Sequence, residues 1–360
     1  MKNVCFLIAL LLCACGCADI GPEPAPPATA APAQAGIIIP PNSGAHILGA
    51  AAALARELSG KWAGLEFAVH ESPDPPSALS SGDALLAFTP VGDWSRTAAL
   101  LSSPFLYESY EHFSMSMNSR TVLGAVGKET AAAKTTPLAV FYTGSAFLLS
   151  SINPNNYRSF RSAVISEGGD FTEEYETEEG GEDEDEDVPE ESAITPALAM
   201  ISHNTQRRHA YTAAGSVVTV ISDPSARLEK LLDGQLQIAE FSAREGLSPA
   251  ETHDGIRLTA SWQDIRPLWL LADSGWLDSL TGTQERELRE AVSKLFHAID
   301  QSYLREDLAV FAQFSGWPFI EPGDFSRTRR LLSRDAINSL ALSPGIEQRR
   351  ILNHIDSIRR

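Results

Sequence analysis

The sequence predicts an α/β fold built around parallel sheet, on three observations. Short, wholly apolar runs such as Gly36-Ile37-Ile38-Ile39 and Ala84-Leu85-Leu86-Ala87-Phe88 have the length and composition of strands buried on both faces. Helical patterns separate these runs. The alternation continues through both halves of a chain of 360 residues, long enough for two domains of ordinary size.

Before the first strand, Met1-Lys2-Asn3 leads into an apolar run from Val4 to Ala14. That is the pattern of an export signal, too short for a membrane-spanning helix of about 20 residues. All four cysteines lie here: Cys5, Cys13, Cys15 and Cys17. Small residues before a cysteine resemble the lipobox of bacterial lipoproteins. Leu12 and Ala14 favour Cys15 as the lipidated residue, and Gly16 makes Cys17 the rival site. Residues 1–17 are therefore read as a lipoprotein signal peptide. Residues 18–36, rich in Ala and Pro, read as an extended tether between lipid and folded body.

Next, Gly36–Ile39 is a buried strand ended by the turn Pro40-Pro41-Asn42-Ser43-Gly44, and a helix spans about 45–58. Leu65–Val69 alternates as a second strand. Ser77–Ser81 is a short helix stopped by Gly82, and Ala84–Phe88 is a third strand ending at Thr89-Pro90. Leu138–Tyr142 is a strand broken by Thr143-Gly144, and Ala146–Ser151 continues as one that leaves the first sheet. Ala163–Ile165 is short and apolar.

In the second half, 196–211 reads as a helix ending by Gly215, followed by strand Val217–Ile221, helix Ser225–Leu232 and strand Gln237–Phe241. Ile256–Thr259 and Leu268–Ala272 are strands leading back. A long helix is expected over Thr283–Phe314, capped by Thr283 with Glu285 and Glu287 in its first turn. Its stripe of Leu288, Val292, Leu295, Phe296, Ile299, Tyr303 and Leu304 is core packing. The helix stops at Gly316, and a basic helical region closes the chain.

The formal net charge of −19 is mostly one tract. Fifteen acidic residues lie between Glu167 and Glu191, with no Lys or Arg among them. Like charges this dense repel and stay solvated, so 167–193 reads as a disordered insert. It lacks the interleaved neutral oxygens of a calcium loop. No basic excess is present to meet phosphates, which argues against nucleic acid. Cysteine nucleophiles, disulfides and zinc knuckles are absent after residue 17. There is no GxSxG, HExxH or phosphate-loop motif, and His203 and His209 are spaced to opposite sides of a helix. A binding protein without metal or cofactor is expected rather than an enzyme.

Several stretches resemble the DctP-type extracytoplasmic solute receptors of TRAP transporters. Pro104-Phe105-Leu106-Tyr107-Glu108-Ser109-Tyr110-Glu111-His112 is similar to the family's PFLF-x-x-YEH segment. Ile152–Tyr157, Leu231–Gln237 and Ser274–Leu280 resemble later family segments in the same order. The likeness runs from about Gly36 to Leu332.

The resemblance implies the flytrap-type periplasmic-binding-protein fold: two α/β domains with a ligand between them and a long helix bracing both. Residues 37–147 and about 261–282 would form domain I, 148–260 domain II, 283–316 the brace and 317–360 a helical tail. It implies a periplasmic receptor, lipid-anchored, serving TRAP membrane subunits. Candidate ligand contacts are Asn42, Thr89, Tyr142, Phe147, Arg161 and Trp262. The family's carboxylate-clamping Arg falls on Ala163, with Ser159 in place of a Gly. Arg161, two residues earlier, could substitute from the same strand face. An organic acid or a more hydrophobic solute is therefore expected. In the hydrophobic case the receptor would be repurposed, working with a partner such as a TPR-repeat lipoprotein.

Overall fold

The computed structural model describes residues 33–41, 43–62, 65–90, 94–161, 163–167, 203–242, 245, 255–259, 261–262, 264–314, 316–338 and 345–358. The signal, Cys15 and Cys17, Asn42 and the core of the acidic tract lie outside them.

Among the described residues the strands form two sheets. The first contains β1 (Ala33–Ile39), β2 (Leu65–Glu71), β3 (Leu86–Pro90), β4 (Thr135–Tyr142) and β10 (Pro267–Asp273), in the order β2-β1-β3-β10-β4. The second contains β5 (Ala146–Ser150), β6 (Val164–Glu167), β7 (Val217–Val220), β8 (Ile238–Ser242), β9 (Arg257–Thr259) and β11 (Phe319–Ile320), in the order β11-β9-β5-β8-β6-β7. The two-domain α/β architecture is as expected, but neither sheet is purely parallel. β10 runs antiparallel to β3 and β4, and β5 runs antiparallel to β8 and β9. Each of these strands arrives from the other lobe, so it enters its sheet against the local direction.

Helices cover both sheets. In the first lobe α1 (Gly44–Lys61), α2 (Pro75–Ser80), α3 (Arg96–Leu101), α4 (Tyr110–Met117) and α5 (Arg120–Thr130) surround a core of Leu, Ala, Ile, Val and aromatic residues. β1 approaches the turn before β3 so closely that a Cβ on Gly36 would lie 2.8 Å from the Asp83 carbonyl oxygen. The open edge of β4 is closed by Asn118, whose amide accepts from Val140 N at 2.9 Å and donates to Val140 O at 2.8 Å. This satisfies backbone groups that an edge strand otherwise leaves bare.

In the second lobe α6 (His203–Ala213) and α7 (Pro224–Leu232) lie on opposite faces of the sheet. Downstream come α8 (Ser274–Ser279), α9 (Gly282–Ala298), α10 (Asp300–Gln313), α11 (Pro322–Asn338) and α12 (Ile346–Ile358). α11 packs on α6, and α12 returns to α4 and α5.

The expected long helix is two helices. Its cap is Thr281, not Thr283, because Thr281 and Gln284 form a capping box: Gln284 N donates to Thr281 Oγ1 at 3.3 Å and Thr281 N to Gln284 Oε1 at 3.0 Å. Thr283 has Arg286 at the corresponding place and could not reciprocate. The helix is interrupted at Ile299 (φ −87°, ψ −66°), where the following Asp300 turns its carboxylate onto β4.

Candidate ligand site between the two lobes

The chain crosses between the lobes at 143–145, from β4 to β5, and again from β9 to β10, where 261–262 and 264–266 are described. The crossings are zipped together. Thr143 N donates to Arg266 O at 3.0 Å, Arg266 N to Gly144 O at 3.1 Å, and Thr143 Oγ1 to Arg266 O at 2.9 Å. Gly144 sits at φ +108°, where a side chain is strained.

α10 braces this junction through two buried aspartates. Asp300 accepts from Tyr142 N at 3.0 Å and from Tyr110 Oη at 3.1 Å. Asp307 accepts from Ser145 N and Oγ, both at 3.1 Å, and from Tyr142 Oη. One helix thus holds the end of β4 and the start of the crossing. Burial pushes the Asp300 carboxyl up to about 7, against the lowering effect of hydrogen bonds from Tyr142 N, Tyr110 Oη and its own backbone N–H. Tyr110 is pushed up to about 12 by burial and by the Asp300 charge. At the crossing, Thr143, Ser145, Ser242, Arg266, Tyr303 and Asp307 line a small pocket of about 10 Å³, room for about one water.

On the other side of the second sheet lies a buried ionic cluster. Successive β5 residues alternate faces. Phe147 looks toward α10, while Ala146 and Leu148 look toward α6. Leu148 is flanked in register by Glu240 on β8 and Thr259 on β9, and Ala146 is paired with Ser242. Arg207 of α6 places Nε 3.0 Å from Glu240 Oε2 and Nη1 3.1 Å from Asp264 Oδ2. Asp264, in the second crossing, is also 3.2 Å from Arg266 Nη2. Tyr211, one turn beyond Arg207, donates to Glu240.

The first lobe reaches into this region with Phe105. Its backbone is at φ +64°, an outlier for a bulky residue, and its ring is fully buried among second-lobe residues. It meets Tyr211 edge to face at 5.7 Å. Arg329 of α11 holds the segment down: Nη1 donates to Phe105 O at 2.8 Å and Leu106 O at 3.3 Å, and Nη2 pairs with Glu108. Strain of this kind concentrates where structure is held for function.

The sequence candidates fall into different places. Trp262, at φ +48° in the second crossing, is half-buried and lies 6.2 Å from Tyr142, the next candidate. Tyr142 is fully buried, with its hydroxyl on Asp307. Phe147 sits on the α10 face among Phe241, Phe311 and Phe314, away from the ionic cluster. Thr89 is buried in the first lobe, and its hydroxyl donates to Pro90 O at 3.2 Å. Arg161 is exposed and packs on Gly215. It precedes the strand rather than lying in it, because β6 begins at Val164 and a 3-10 turn (Tyr157–Phe160) occupies the chain before it. Ala163 is buried in the second-lobe core.

Sequence reasoning missed Arg207, Glu240 and Asp264 as site residues. One signal was present: Glu240 interrupts the apolar strand Ile238-Ala239-Glu240-Phe241, and a charge inside such a strand implies a buried partner.

Comparison with solved structures fits this geometry. The chain superposes on the ectoine-binding protein TeaA of the TeaABC TRAP transporter (TM-score 0.62, 10% identity, covering 91% of this chain and 98% of that one). It also superposes on a TRAP periplasmic solute-binding protein from Ochrobactrum anthropi with its C-terminus bound in the ligand pocket (TM-score 0.59, 12% identity, 91% and 95%). A third match, from Sulfitobacter sp. NAS-14.1, holds β-D-galacturonate (TM-score 0.54, 12% identity, 90% and 100%). The fold is that of the TRAP periplasmic solute-binding proteins. No protein-family model and no curated protein sequence matches the chain.

Proposed function

We propose that this chain is an extracytoplasmic receptor that captures a small molecule between its two lobes for a TRAP-type secondary transporter. The observation that carries the reading is the junction itself: two crossings zipped together, a helix bracing the first of them, and a buried polar cluster where first-lobe and second-lobe residues converge. Binding proteins of this architecture close by rotation about such crossings, and solutes bind at domain junctions. The chemistry is capture and release, not catalysis. The protein acts in the periplasm, held to a membrane by lipid on Cys15, with Cys17 as the rival, through the Ala/Pro tether. Its partners are the transporter's membrane subunits.

Native mass spectrometry of the protein purified from its own host tests the reading. The expected result is a bound small molecule that leaves on denaturation, and whose return to the emptied protein contracts its radius of gyration in X-ray scattering. A bound molecule that is hydrophobic would favour a repurposed receptor working with a partner such as a TPR-repeat lipoprotein. An empty protein whose scattering no periplasmic extract changes overturns the reading.

A further inference from the structure

Three hydroxyls near the ionic cluster are buried without a hydrogen-bond partner among the described residues: Ser242 Oγ, Thr259 Oγ1 and Ser261 Oγ. The residues are 9%, 0% and 1% exposed. Buried hydroxyls are normally satisfied, by protein, by ordered water or by a ligand. Thr259 lies in the same cross-strand row as Glu240, one strand beyond Leu148, and Ser242, two residues past Glu240 on β8, lines the small pocket at the crossing. Ser261 opens the crossing that carries Asp264.

Among the described residues the charges here are matched. Two carboxylates, Glu240 and Asp264, face two guanidinium groups, Arg207 and Arg266, with Asp264 shared between them. A ligand carboxylate bound at Arg207 would be a third negative charge beside Glu240 and Asp264, in a buried place where like charges repel strongly. Arg161 does not enter the cluster. Hydroxyls, by contrast, both donate and accept, so the three orphaned groups suit a partner that does the same. The rings of Phe105 and Tyr211 stand beside Glu240 and supply apolar wall.

We infer that the interlobe site takes an uncharged polyhydroxylated solute, a sugar or polyol, in preference to an organic acid. The inference rests on the receptor reading above and specifies its ligand class. Solute hydroxyls bond Ser242, Thr259 and Ser261, while the Arg207–Glu240–Asp264 cluster stays intact as a polar floor.

Matched pairs test the class on the full mature chain: D-galactose against D-galacturonate, D-glucose against D-glucuronate, and xylitol against D-xylonate. Thermal unfolding and isothermal titration are read for each. The expected result is that at least one neutral member raises Tm and binds roughly tenfold or more tightly than its acid partner. Thr259→Val, which keeps shape and removes the hydroxyl, should weaken that neutral ligand by about fivefold or more. Glu240→Gln should free Arg207 and improve binding of the acid partner. An acid that outbinds its neutral partner in the unaltered protein overturns the class and leaves the receptor reading standing. If no neutral member binds, the class also falls. The molecule retained from the host then decides whether the receptor reading falls with it.

Discussion

At the scale of single residues, the protein spends its unusual chemistry at the lobe junction. Asp300 is fully buried where α10 begins, between Tyr142 N and Tyr110 Oη. Its carboxyl is raised to about 7 because burial disfavours the charge more than its three hydrogen bonds favour it. An unfolded aspartate releases its proton near pH 4, so the folded state holds the extra proton between about pH 4 and pH 7. The protonated form's contribution to stability is complete below pH 4 and is lost as pH rises through 7. Asp300→Asn keeps an acceptor for Tyr142 N and does not titrate. Urea unfolding at pH 5 and pH 8 should show the unaltered protein losing roughly 2–3 kcal/mol more than the variant between the two. Equal losses would refute the raised proton affinity. Nothing in the sequence pointed to Asp300, which reads there as one more polar position on a helix face. Phe105 was visible only as part of a family-like segment, because its positive φ and its insertion into the opposite lobe are products of tertiary contact.

At the scale of elements, most of the plan was legible. Apolar runs became strands within a few residues of their expected ends, since period and composition report local burial directly. Two features were not. The break at Ile299 is hidden by an apolar stripe that runs on through Ile299, Tyr303 and Leu304 with no Gly or Pro between them. What interrupts the helix is the pull of Asp300 toward β4, a contact distant in sequence. The antiparallel entry of β5 and β10 was likewise invisible, because strand direction is set by which lobe the chain comes from. Gly144 was legible as a breaker, and its role is now specific: φ +108° lets β4 turn into β5 while Ser145 reaches Asp307. Gly144→Ala would set a methyl in that strained backbone, 3.8 Å from Asp307 Oδ1. Its expected cost is about 1–3 kcal/mol in chemical unfolding. A variant as stable as the parent would mean that the crossing tolerates another conformation.

At the scale of the whole molecule, the receptor role proposed above turns on what would set the balance between open and closed lobes. The zipped crossings and α10 fix the hinge but not the angle. The angle is held on the far side, where Phe105 of the first lobe is buried against Tyr211, Phe160 and Leu332, and Arg329 of α11 grips its carbonyl. Arg329 is 2% exposed, and three acceptors it meets among the described residues, Phe105 O, Leu106 O and Glu108, belong to the first lobe. α11 itself is tied to the second lobe through Thr328 Oγ1 on Asn155 O at 2.8 Å and Tyr157 Oη on Asp335 at 2.5 Å. Arg329 is thus a latch between lobes, and its removal strands several buried acceptors at once. Arg329→Ala should increase the ligand-free radius of gyration in X-ray scattering and expose the Phe105 segment to faster amide exchange. With the closed form less populated, apparent ligand affinity should fall in proportion to the closed fraction lost. Arg329→Lys, which keeps the charge but not the forked geometry, should fall between the two. A drop in Tm with unchanged scattering and unchanged exchange at 105–108 would mean that Arg329 only anchors α11, and that the lobes are held by Phe105 alone.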